Sequence, residues 1–243
     1  MIRTILFLAF AIAFLIVSIP ILLIECLLDK ISPNTAARSS LSLIQGILKI
    51  LEHIAGTEVV VLGEENIPKD QAVLYIGNHR SYFDVILSYS RCPGLTGFIA
   101  KKEFANIPLL KQWMDRLNCL FLDRKDTRQG LKMILTAIDY VKSGISIFIF
   151  PEGTRAKTDE MLPFKEGSFK IASKSGCPII PVAFTNTNAV FEDHVPFLRR
   201  ARVIIHYGTP ILPEDIPADQ KKHMGVYVQS IIKEMLEEDK KQL

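Results

Sequence analysis

The sequence predicts an α/β protein: a mixed, largely parallel central sheet flanked by helices, preceded by a hydrophobic two-helix membrane anchor. Three observations predict it. After residue 57, short apolar runs rich in Val, Ile and Phe alternate with helical patterns, as strands crossed over by helices do. Ile5 to Ile24 contain no charged residue. Polar, turn-forming stretches follow several of the apolar runs, where open α/β sheets collect their ligands.

The elements follow in order. Helical residues from Ile5 to Ile24 reach roughly 30 Å, the thickness of a bilayer hydrocarbon core. Ala11-Ile12-Ala13 resembles a signal-cleavage site, but Phe14-Leu15-Ile16-Val17 continues the apolar run, so an uncleaved anchor is expected. A linker containing Pro33 and Asn34 comes next. Ser39 to Ala55 then places Leu41, Ile44, Ile47, Leu48, Leu51, Ile54 and Ala55 at spacings of three and four, an amphipathic helix stopped by Gly56. Packing on the globular part and lying in the membrane interface suit it equally. Arg3 before the first helix and Lys30, Arg38 and Lys49 after it favour a cytoplasmic position for the rest. The chain thus divides into anchoring helices over 1–56 and an α/β domain over 57–243.

Seven strands are expected: Glu58–Leu62, Val73–Ile76, Thr96–Ala100, Cys119–Leu122, Ile145–Phe150, Ile179–Phe184 and Arg202–Tyr207. The clearest helix between them is Asp126–Lys142. Asp126 or Thr127 caps it, Leu131, Ile134, Leu135, Ile138 and Val141 form one stripe, and Gly144 ends it. Ala218–Lys241 makes a final amphipathic helix with a charged end. A net charge of +3 without a lysine/arginine run gives no support to nucleic acid as a partner, and none is expected. Cys26, Cys92, Cys119 and Cys177 show no CxxC spacing and read as buried thiols in a reducing compartment. No His-Glu-x-x-His and no Cys/His cluster occurs, so zinc chemistry has no support.

Three strand ends carry candidate chemistry. In Gly77-Asn78-His79-Arg80-Ser81-Tyr82-Phe83-Asp84, a turn histidine and an aspartate in the first helical turn can meet. The carboxylate would accept from one ring nitrogen and leave the other to take a proton from a hydroxyl. Ser81-x-x-Asp84 is also a capping box, which would make both residues structural. Phe150-Pro151-Glu152-Gly153-Thr154-Arg155 forces a tight turn with backbone N–H groups and a guanidinium fork suited to phosphate; a plain turn with a Glu152–Arg155 ion pair competes. Lys101 and Lys102 end the third strand and can reach a phosphate or serve as a solvated cluster. Asp123-Arg124 and Phe164-Lys165-Glu166-Gly167-Ser168 read as turn and cap chemistry.

Taken together and in this order behind a hydrophobic N-terminus, these motifs resemble the glycerolipid acyltransferase family. The resemblance runs from about Val59 to Tyr207 and includes Asn78–Asp84, Lys101-Lys102-Glu103 with Ile107-Pro108 after it, Phe150–Arg155 and Pro178-Ile179-Ile180-Pro181-Val182. It implies acyl transfer from acyl carrier protein or acyl-CoA to the sn-2 hydroxyl of lysophosphatidic acid in the membrane, without cofactor or metal. His79 would be the general base and Asp84 its orienting partner. Glu152, Gly153, Thr154 and Arg155 would hold the glycerol-phosphate, with Lys101 and Arg124 as further contacts. Arg80 stands where the family usually carries another residue, which bears on substrate detail. The same motifs also suit acylation of glycerol 3-phosphate or another lysophospholipid, or a non-catalytic lipid-phosphate binder.

Overall fold

In every central strand, successive side chains pack into two separate apolar layers. Leu74, Ile76, Ile147, Ile149 and Ile179 fill one, and Tyr75, Phe148, Ile180 and Val182 fill the other. Such unbroken apolar runs belong to a sheet covered on both faces. The computed structural model describes residues 1–243 and contains that sheet. Its strands are β1 (Thr57–Leu62), β2 (Leu74–Gly77), β3 (Thr96–Lys101), β4 (Leu120–Leu122), β5 (Ser146–Ile149), β6 (Ile179–Thr185) and β7 (Ala201–Tyr207). They lie in the order β1-β7-β6-β2-β5-β3-β4. Every pairing is parallel except β6 with β7.

Seven α-helices cover the sheet: α1 (Ile2–Ile31), α2 (Pro33–Ala55), α3 (Phe83–Tyr89), α4 (Leu110–Arg116), α5 (Thr127–Lys142), α6 (Lys170–Ser175) and α7 (Met224–Asp239). On one face, Leu22 of α1, Leu41 and Ile44 of α2 and Trp113 of α4 pack on Tyr75 and Phe148. On the other, Ala137 of α5, Ile171 of α6 and Val228 and Ile232 of α7 pack on Leu74 and Ile147.

Several sequence expectations change. The linker with Pro33 and Asn34 does not exist: Ser32 alone separates α1 from α2, and Pro33 opens α2, where a missing N–H costs nothing. α4 follows Ile107-Pro108 and was not expected, because one turn-rich, seven-residue helix is too short for a periodic signal. The last helix starts at Met224 rather than Ala218. The α5 stripe is rotated: Met133, Ala137, Ile138 and Val141 are buried, while Leu131 and Leu135 are 58% and 54% exposed. Cys26 is exposed on α1, unlike Cys92 and Cys177. The expected caps hold. Asp126 accepts from the N–H groups of Arg128 and Gln129, and Gly56 ends α2 at φ +79°.

α1 is long and apolar enough to cross a membrane, and only 11% of its most apolar window is buried. Its other side is fastened along the domain. Thr4 Oγ1 accepts from Leu198 N, Phe7 meets Phe83, Ser18 accepts from Trp113 Nε1 at 2.9 Å, and Glu25 pairs with Arg116 at 3.2 Å.

Candidate active site

The site grows from two neighbouring strand ends. β2 leaves the sheet at Gly77, where an added Cβ would lie 2.9 Å from the Phe184 ring, so only glycine fits. Asn78, wholly buried, then extends the ladder with its side chain: Nδ2 donates to Phe184 O and Oδ1 accepts from Phe184 N. That pair fixes the direction in which the chain exits. His79 follows, its ring stacked on Phe150 of the β5 end at 4.2 Å.

His79 Nδ1 and Asp84 Oδ2 are 2.9 Å apart. The same oxygen accepts from the N–H groups of Arg80 and Ser81, each at 2.8 Å, while Oδ1 accepts from Thr187 Oγ1 at 2.6 Å. Asp84, in the first turn of α3, is therefore both the anchor of the preceding turn's backbone and the partner of the imidazole. Fully buried and acceptor-saturated, it has one use for the histidine: to accept from Nδ1–H. That leaves Nε2 without a protein partner and able to accept a proton.

The Phe150–Arg155 turn lies against this loop. Ala156 N donates to His79 O, and His79 N donates to Glu152 Oε1 at 2.6 Å. Glu152 is 4% exposed, and its other oxygen accepts from Leu162 N at 2.8 Å. Burial pushes its carboxyl above the usual range, against the opposing pull of the two N–H groups. With both oxygens taken by backbone, Glu152 braces the two turns against each other and does not pair with Arg155. Gly153 takes φ +74°, and Thr154 is exposed on the turn. Arg155 lies over the Tyr82 ring at 3.7 Å and donates from Nη1 to Glu192 at 2.6 Å.

The family described as Acyltransferase matches residues 58–185. The chain belongs to this acyltransferase family. It is 35% identical over 171 residues to a 1-acyl-sn-glycerol-3-phosphate acyltransferase of Borreliella burgdorferi, covering 70% of this chain and 68% of that one. It is 29% identical over 191 residues to the protein of that name in Saccharomyces cerevisiae, covering 77% of this chain and 62%, under two thirds, of the yeast protein. The crystal structure of the 1-acyl-sn-glycerophosphate acyltransferase PlsC from Thermotoga maritima superposes with a TM-score of 0.83 at 26% identity, over 98% of this chain and 95% of that one.

In this acyltransferase, His79, Asp84, Glu152, Gly153, Thr154 and Arg155 meet at one place. Lys101 ends β3, two strand positions from β2 and so roughly 10 Å along the sheet edge. Its Nζ pairs with Glu103 at 3.1 Å. Arg124 follows the edge strand β4, one position further out, and is exposed without a carboxylate partner. Neither touches the histidine turn. The sequence reading missed Thr187 and Glu192, which lie more than 100 residues from the histidine turn they bind. It also read Lys165 as turn chemistry. The Lys165 ammonium sits where a side chain on Gly153 would go, 2.5 Å from the position of an added Cβ. The order Phe164-Lys165-Glu166-Gly167 shortly after the arginine turn was the available signal.

Proposed function

We propose that this acyltransferase moves a fatty acyl group from a thioester donor to the sn-2 hydroxyl of lysophosphatidic acid, with His79 as general base. The product is phosphatidic acid. Nε2 takes the hydroxyl proton as the oxygen attacks the thioester carbonyl. The tetrahedral intermediate then collapses, the carbon–sulfur bond breaks, and the proton passes to the departing thiolate. A placed base of this kind contributes about 10²–10⁴-fold. Asp84 sets the ring's orientation and stabilises the imidazolium that forms. Arg155, with Gly153, Thr154 and Lys165 beside it, holds the phosphate so that the hydroxyl faces Nε2. Lys101 and Arg124 lie further along the edge, where they extend the cationic surface toward the donor, acyl carrier protein or acyl-CoA. Glu152 positions the turns.

One observation carries this reading. The imidazole donates into a buried carboxylate at 2.9 Å while its backbone is bonded on both sides to the arginine turn. The thiols argue for direct transfer, since burial pushes Cys92 and Cys119 up to about 12 and neither lies in a catalytic turn. Residues 1–56 act as the membrane attachment and 57–243 as the catalytic domain, on the cytoplasmic side where soluble thioesters are found. The test is a purified-protein assay offering lysophosphatidic acid, glycerol 3-phosphate and a headgroup-bearing lysophospholipid in parallel. Lysophosphatidic acid should be the preferred acceptor, and His79→Ala should lower kcat by about 10²–10⁴-fold while lipid binding persists. A His79→Ala enzyme turning over at the normal rate would remove the base assignment.

A further inference from the structure

The rotated stripe of α5 leaves a surface that the reaction chemistry above does not use. Arg128, Leu131, Lys132 and Leu135 occupy positions i, i+3, i+4 and i+7, one outward face of the helix. All four are exposed, and neither cation has a carboxylate partner. Arg124 and Lys125, in the turn before the helix, are also exposed and unpaired. Their neighbours on this edge differ: Lys101, Lys102 and Lys111 each hold an acidic residue. Along the chain, the carboxylates that flank the leucines are Asp126, at the helix cap, and Asp139, one turn beyond Leu135. A single exposed leucine needs no explanation, but two adjacent ones framed by unneutralised cations make a surface fit for an acidic, partly apolar partner.

Two facts of the fold select the kind of partner. α5 packs on the sheet face opposite to α1 and α2, so its outer side is turned away from the helices that carry the lipid-seeking surface. A membrane therefore does not reach it, and a soluble macromolecule does. In addition, α5 starts at the strand-end edge from which the histidine and arginine turns emerge, beside β4. Three strand spacings separate β4 from β2, roughly 14 Å, a distance that a flexible thioester arm can bridge.

We propose that the Arg128-Leu131-Lys132-Leu135 face of α5 docks the acyl donor as an acidic carrier protein, which reaches its acyl thioester past Lys101 to His79. The inference rests on the acyl-transfer reading and adds to it the surface on which a carrier-protein donor docks. Acyl-CoA, which has no protein surface, does not need this face.

The decisive experiment uses the full-length enzyme with Arg128→Glu/Lys132→Glu, and separately Leu131→Ser/Leu135→Ser. Each is assayed on lysophosphatidic acid with acyl carrier protein and with CoA carrying the same acyl chain. Both variants should lower kcat/KM for the carrier-protein donor about tenfold or more, through KM, and leave the CoA donor within about twofold. Sedimentation with anionic phospholipid vesicles should not change. Equal losses with both donors, no loss with the carrier protein, or loss of vesicle binding would each overturn the docking surface. A wild-type enzyme active with CoA thioesters but inert with the carrier protein would overturn it too, while leaving acyl transfer standing. A wild-type enzyme inert with both donors would overturn the acyl-transfer reading and this inference together.

Discussion

Glu192 joins the two halves of the site. It accepts from Ser81 Oγ at 2.6 Å and Tyr82 N at 2.9 Å on the histidine turn, and from Arg155 Nη1 at 2.6 Å on the arginine turn. Tyr82 supports the guanidinium from below at 3.7 Å, so Arg155 is held by one edge and one face. Its remaining donors keep a planar fork, the geometry that matches a phosphate. An arginine fixed this way pays little ordering entropy when lipid binds. Glu192→Ala should therefore lower kcat/KM for lysophosphatidic acid by about 10- to 100-fold, as expected for lost charge-assisted hydrogen bonds of ~1.5–3 kcal/mol. Steady-state kinetics with each substrate varied in turn checks this. A defect confined to the thioester's saturation curve would contradict it.

At the scale of elements, the C-terminal helix is tied to the sheet by a second histidine–aspartate pair. His206 of β7 and Asp239 of α7 lie 2.9 Å apart, and Thr185 of β6 donates to the other Asp239 oxygen at 3.3 Å. The hydrogen bond to Asp239 raises the His206 pKa above its ordinary value of 6.5, against partial burial. A raised histidine pKa means that the folded state holds the proton more tightly than the unfolded one. The contribution is complete below about pH 6.5 and fades as pH rises through the raised value. Asp239→Asn should cost about 1–3 kcal/mol at pH ~5.5 and markedly less at pH ~8.5. Denaturant unfolding at the two pH values measures it; a pH-independent cost would show that the pair acts by packing alone.

At the scale of the whole molecule, α1 has two different sides. One is docked from Thr4 to Glu25, over roughly 30 Å of helix, onto α2, α4 and the loop before β7. The other exposes Ile12, Ile16 and Leu23 at 57%, 59% and 64%. Deleting 1–55 would strip Leu22, Leu41 and Ile44 from the core, so truncation tests folding more than attachment. Substituting the outer face is cleaner. Ile12→Glu/Ile16→Glu/Leu23→Glu should leave thermal unfolding nearly unchanged, because these side chains are more than half exposed and belong to none of the apolar layers, and should release the protein from phospholipid vesicles. Persistent sedimentation of a folded triple variant would mean that attachment lies elsewhere.

All seven strands, the stop at Gly56, the Asp126 cap and the approach of His79 to Asp84 were legible in the sequence because each is written in neighbouring residues. Alternation, capping and the reach from His79 to Asp84 span five positions or fewer, and local backbone geometry fixes them. Tertiary structure alone decided the rest. Thr187 and Glu192 reach the site across 103 to 111 residues, β7 turns antiparallel to β6, and α5 is rotated until two leucines stand outside. Periodicity can state that a helix has an apolar stripe, but which residues of that stripe meet the sheet depends on how the layers pack. Contacts between distant segments are settled by that packing, and no local pattern encodes them.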